Sequence, residues 1–168
     1  EGNPMDNFMD LVFECKPTQV TLVPDAVNAL TSNAGWDTVK HQSYLKEIVT
    51  EFQKRGIRTS IFVDPVLEMI EGAKATGTNR IELYTEEFAH QYGLGNEKAI
   101  EPYTKAAQLA NDLGIGVNAG HDLSLQNIEF FKNNIPDLLE VSIGHALISE
   151  SLYLGVENVI RMYQQKMK

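Results

Sequence analysis

Arg80-Ile81-Glu82-Leu83-Tyr84-Thr85 discriminates between two parallel-sheet architectures. It follows a turn signalled by Gly77 and Asn79 and reads as a strand. Strand side chains alternate between faces, so Ile81 and Leu83 share one face while Glu82 and Tyr84 share the other. Parallel strands in open sheets are usually apolar on both faces. A polar inner face near a strand end fits more readily into the mouth of a barrel.

Working outward, Thr18–Val23, Ile57–Val63, Gly116–Ala119 and Leu139–Ile143 read as further strands, each bounded by Pro, Gly or Asp. Helical periodicity fills the intervals. Phe8, Leu11, Val12 and Cys15 make one apolar face from Pro4 to Cys15, and Leu45, Ile48, Val49 and Phe52 make another between Asp37 and Arg55. Pro65–Lys74 turns Leu67, Ile70 and Ala73 inward, and a helix ending at Leu113 does so with Ile100, Tyr103, Ala107 and Ala110. Ser124 is a fair N-cap for a helix through Asn133. One final helix is expected from Ser149 to Met167, with Leu152, Val156, Val159, Ile160, Tyr163 and Met167 inward. Asp25–Gly35 and Glu86–Glu97 read as loops.

The order is a helix followed by five strand–helix pairs, and strict alternation implies a parallel sheet with helical crossovers. An open doubly wound sheet and a (β/α)8 TIM barrel compete, and the polar face of Arg80–Thr85 favours the barrel. Five pairs are too few to close eight strands. The chain also starts Glu1-Gly2-Asn3-Pro4, without methionine. The expectation is a single α/β domain over residues 1–168, an incomplete barrel made of about its last five β/α units.

Composition limits the function. The 168 residues carry a formal net charge of -9, which argues against a nucleic-acid partner. Phosphorylated small molecules remain open, because helix-start amides bind phosphate without net positive charge. Cys15 is the one cysteine, so no internal disulfide forms, in keeping with a reducing, cytoplasmic compartment. No apolar run is long enough for a membrane helix and no signal peptide opens the chain.

The chemistry gathers at two strand ends, Val117-Asn118-Ala119-Gly120-His121-Asp122 and Val141-Ser142-Ile143-Gly144-His145. Barrel enzymes work at the C-terminal ends of their strands, and the loops after the last two strands often hold phosphate. Gly120 and Gly144 follow strands, where a glycine lets a ligand approach the backbone. His121 has an unperturbed pKa suited to proton transfer at neutral pH, and His145 is a second candidate. Glu82, a carboxylate inside a strand, is either paired in the lumen or functional. Asp64 ends its strand as Asp-Pro, common turn chemistry, and His41 and His90 read as structural or exposed. A metal held by His121, His145, Glu82 and Asp64 is a minority reading that no tight ligand spacing supports.

Lys16-Pro17-Thr18-Gln19 before Val20–Pro24, then Ser60–Asp64, Arg80–Thr85, Val117–His121 and Ser142–Ala146, together resemble the pyridoxine 5'-phosphate synthase family. The resemblance covers essentially the whole chain, in order. It implies a (β/α)8 barrel, usually octameric, that condenses 1-deoxy-D-xylulose 5-phosphate with 3-amino-2-oxopropyl phosphate. The product is pyridoxine 5'-phosphate, released with phosphate and water, and no metal or other cofactor is implied. By resemblance His121 is the proton donor, Glu82 stabilises charge in the transition state and Glu1 is the catalytic base. Gly144 and His145 match the pair that binds the aminoketone phosphate. Thr31 matches a threonine that binds the deoxyxylulose phosphate from a mobile lid. Asp122 stands where some members have glycine, with its backbone placed to contact the aminoketone phosphate.

The family's Asn-x-Asp-His and His-x-Arg motifs do not occur in these residues. A second general base and phosphate-binding arginines belong to them, so residues 1–168 alone are expected not to turn over substrate. Two other readings stand beside this one. Another phosphate-sugar barrel, an epimerase or aldolase, is possible, although no strand ends in the lysine a Schiff-base aldolase wants. A non-catalytic phosphate-binding or assembly piece is the third.

Overall fold

The computed structural model describes residues 1–25 and 34–168. In chain order the elements are α1 (Asp6–Cys15), β1 (Gln19–Leu22), α2 (Gln42–Lys54), β2 (Arg58–Val63), α3 (Leu67–Thr76), β3 (Arg80–Tyr84) and α4 (Glu86–Gly93). A 3-10 turn at Glu97–Ile100 then leads into α5 (Glu101–Asp112), β4 (Gly116–Gly120), α6 (Ile128–Asn134), β5 (Leu138–Ser142), α7 (His145–Leu154) and α8 (Val156–Lys166).

All five strands are parallel and stand in chain order, β1-β2-β3-β4-β5. A doubly wound sheet reverses direction at a switch point, and this one never does. Right-handed crossovers that always step the same way put their helices on one face, here with α2 against α3 and α3 against α5. That is how a (β/α)8 barrel is built, and the chain supplies five consecutive units of one. On the edge of β1 away from β2, Gly2 adds a parallel bridge to Leu22. Its N–H donates to the Thr21 carbonyl at 3.1 Å, and its own carbonyl accepts from the Val23 N–H at 3.1 Å. Glu1 is thereby held beside the strand ends.

The alternation read from Arg80–Thr85 runs through the whole sheet. Val20, Leu22, Ile61, Val63, Ile81, Leu83, Val117 and Ala119 are buried on the helix side. They meet Leu45, Val49 and Phe52 of α2, Ile70 and Ala73 of α3, and Tyr103, Ala106, Ala107 and Ala110 of α5 in one core. Phe62, Glu82, Asn118 and Glu140 pair across β2 to β5 as one row on the other face.

That inner face is tied together by charge. Glu140 takes Arg58 at 2.9 Å and Arg80 at 2.8 Å. Arg80 also donates to Asn118 at 3.0 Å, and Arg58 to Gln19 at 2.8 Å. One network therefore spans all five strands. Burial pushes the Glu140 carboxyl up, but Arg80 and Arg58 together outweigh it and hold the group below its ordinary range.

Five readings change. Leu67, expected inward on α3, is exposed, while Ile70 and Ala73 are buried. Glu86–Gly93 is helical, not loop, because Phe88 is fully buried against Tyr92, Tyr103, Phe130 and Phe131. The last helix is two, broken at Gly155, whose φ of 83° is open to glycine. The break turns the expected face: Val159 and Tyr163 are buried, while Leu152 is 81% exposed and Val156 and Ile160 are exposed too. On α1 only Val12 is buried, and Leu11 is exposed. Finally, α6 begins at Ile128 after a turn opened by Ser124, whose carbonyl accepts from the Ile128 N–H at 3.0 Å.

Candidate active site

Five of the seven residues singled out from the sequence, Glu1, His121, Asp122, Gly144 and His145, line one cavity of about 310 Å³ at the C-terminal strand ends. Glu82 lies beneath it, only 1% exposed. Thr31, the seventh, lies outside the described residues. Asp64 belongs elsewhere: it borders a neighbouring cavity of about 570 Å³ and its Oδ2 accepts from the Gly35 N–H at 3.1 Å. His41 packs edge-on against Trp36, away from the cavity.

β4 delivers His121. The strand ends at Gly120, and His121 and Asp122 then take left-handed φ values of 77° and 55°. Two such residues in succession at a strand end are strained, and strain of this kind clusters at functional sites. Asp tolerates this region better than most residues, and glycine tolerates it best. The turned backbone lays the imidazole against Phe62 and Tyr84, with ring centroids 4.9 Å and 5.3 Å away. Nε2 is left 3.6 Å from a Glu1 carboxylate oxygen. That separation is an ion-pair contact longer than a hydrogen bond.

The electrostatics follow from this geometry. The imidazole beside Glu1 holds its carboxyl below the usual range, against the burial that pushes it up. In return Glu1 raises His121, outweighing burial, and the charges of Glu82 and Asp122 add to the rise. Glu82 goes the other way. Burial, then the Glu1 charge, push its carboxyl from 4.5 up to about 7, while Ser142, Thr21 and His121 pull weakly against them. Thr21 Oγ1 donates to Glu82 Oε2 at 3.2 Å, and Oε1 is buried without a hydrogen-bond partner among the described residues. Room for that oxygen exists because residue 120 is glycine: a Cβ there would come within 2.2 Å of it. The site thus holds an ionised carboxylate, a histidine biased towards its cation and a carboxyl poised near neutrality. Such a set can both give and take protons.

The far wall is the start of α7. Gly144 is its N-cap and His145 its first residue, so free backbone N–H groups and the positive helix end face the cavity. A phosphate fits there without a positively charged side chain. Among the described residues no three His, Cys, Asp or Glu side chains are arranged to hold a metal ion. No helix among them is long and apolar enough to cross a membrane.

Sequence reading missed Thr21, Ser142, Thr85 and Asn127. Ser142 sits opposite Gly120 in the register, two residues before Gly144, and that same-face spacing was the available signal. Thr21 and Thr85 offered none, since their partners lie on other strands.

A family model described as "Pyridoxal phosphate biosynthesis protein PdxJ" matches residues 1–168. The chain is 75% identical over 168 residues to a protein named pyridoxine 5'-phosphate synthase from Flavobacterium johnsoniae, covering 71% of that protein. Proteins of the same name from Christiangramia forsetii and Cytophaga hutchinsonii are 63% and 58% identical over 168 residues, again with 71% of each covered. With the family model spanning every residue and the barrel strands in their order, the chain belongs to the pyridoxine 5'-phosphate synthase family.

Proposed function

We propose that the complete protein condenses 1-deoxy-D-xylulose 5-phosphate with 3-amino-2-oxopropyl phosphate into pyridoxine 5'-phosphate, releasing phosphate and water. It is a transferase-class enzyme working by general acid/base catalysis without a cofactor. The observation that carries this reading is the meeting of Glu1 and His121 in one cavity beside the start of α7, with the buried Glu82 carboxyl beneath them. Imine formation and elimination need a group that protonates a departing oxygen and a base that removes a proton elsewhere. His121, cationic beside Glu1, donates to the leaving oxygen as the C–O bond breaks. Glu1 takes a proton, and Glu82 stabilises the charge that develops.

Gly144 and His145 bind the aminoketone phosphate through the α7 amides, with the Asp122 backbone alongside, and Thr31 binds the deoxyxylulose phosphate. The names of the relatives support the product, and the 71% coverage supports a barrel whose first strands lie outside residues 1–168. On this reading residues 1–168 alone are inactive, and the complete protein acts in the cytoplasm as a homo-oligomer, an octamer by resemblance to its family. His121→Gln in the complete protein tests the assignment. Loss of a general acid predicts a kcat lowered by about 10²–10⁴-fold with product otherwise unchanged. A variant within threefold of wild type would remove His121 from the chemistry.

A further inference from the structure

We propose that Thr85 is a positioning residue whose hydroxyl clamps the left-handed turn at the end of β4 and so aims the His121 imidazole at Glu1 and the cavity. This rests on the proton-transfer reading of His121. Thr85 is fully buried, and its hydroxyl shares its one proton between the carbonyls of Gly120, at 2.7 Å, and His121. Its backbone N–H donates to the same Gly120 carbonyl at 3.0 Å. Thr85 is also the N-cap of α4, where a threonine hydroxyl ordinarily accepts from the first turn of its own helix. Here it makes no such bond and is turned onto the neighbouring strand end.

The peptide it grips is the one that must hold φ at 77° in His121. A conformation that costs energy persists only where the surroundings over-determine it. From the other side Asn127 completes the restraint: its Nδ2 donates to the Asp122 carbonyl at 3.1 Å and its Oδ1 accepts from the Ser124 N–H at 2.8 Å. Thr85 does not itself line the cavity, and its hydroxyl meets His121 at the backbone carbonyl, so its effect on chemistry must pass through the His121 backbone.

The test uses the complete protein carrying Thr85→Val, which keeps the shape and removes the hydroxyl, and Thr85→Ser, which keeps the hydroxyl. Two readouts are needed: kcat and KM, and the His121 titration followed by NMR of labelled imidazole. In T85V kcat is expected to fall roughly 10- to 100-fold, with KM within threefold. The His121 midpoint moves down towards its unperturbed value as the ring swings away from Glu1. T85S restores both. If T85V does not fold, Thr85→Ala against T85S carries the same comparison. A folded variant lacking the hydroxyl whose His121 titration matches wild type overturns the proposal, whatever its kcat. The titration is independent of turnover, so failure of the catalytic reading, seen as an active H121Q, is a separate result.

Discussion

Glu82 is a carboxyl whose pKa is pushed up to about 7 because burial and the Glu1 charge disfavour its ionised form. In the fold it prefers to be neutral. The stability this confers is fully present below about 4.5, where the unfolded group is also protonated, and is lost as pH rises towards 7. The rise corresponds to roughly 3 kcal/mol between the two protonation states. Glu82→Gln removes the titration while keeping an acceptor for Thr21. The variant should therefore gain stability relative to wild type by about 2–3 kcal/mol between pH 4.5 and pH 8. Urea titrations at the two pH values check this, and a difference that does not vary with pH would show that Glu82 stays ionised in the fold.

His121, Gly144 and His145 were legible in the sequence because glycine–histidine pairs at strand ends are chemically conspicuous. Glu82 was legible by strand parity. Thr21 and Thr85 were not, because each acquires its role from a partner across the sheet, and register is not written in any one segment.

At the scale of elements, the strands were read nearly to the residue, since β-branched runs closed by Gly, Pro or Asp leave little latitude. The helices were harder where tertiary contacts decide. α4 buries a single aromatic, Phe88, and its terminal glycine and polar residues imitate a loop until α5 and α6 supply the rings that pack on it. The α7–α8 break rests on Gly155 alone. Its φ of 83° with ψ of 139° lies where an L side chain is strained, although the space around it is open, with the nearest atom 3.9 Å from an added Cβ. Gly155→Ala should therefore destabilise by about 1–3 kcal/mol through backbone strain. Thermal melts of the complete protein test this. An unchanged or raised Tm would mean that α7 and α8 can merge into the single helix that periodicity suggested.

Across the molecule, one alternation organises both stability and chemistry. Helix-facing side chains of the strands are apolar, and the inner face carries the Arg58–Glu140–Arg80 network below and the acid/base groups above. Five strands stand in unbroken parallel order, with Gly2 bridging the edge of β1 away from β2. The chain spans 71% of the length of each of the three relatives named above.

The proposed role of the cavity at these strand ends is the assembly of pyridoxine 5'-phosphate by the complete protein. The direct measurement is to incubate the complete protein with 1-deoxy-D-xylulose 5-phosphate and 3-amino-2-oxopropyl phosphate, then quantify pyridoxine 5'-phosphate and inorganic phosphate by chromatography. Both products should accumulate together, only when both substrates are present, and without added metal. Absence of pyridoxine 5'-phosphate under those conditions, from folded protein, would contradict the proposed role.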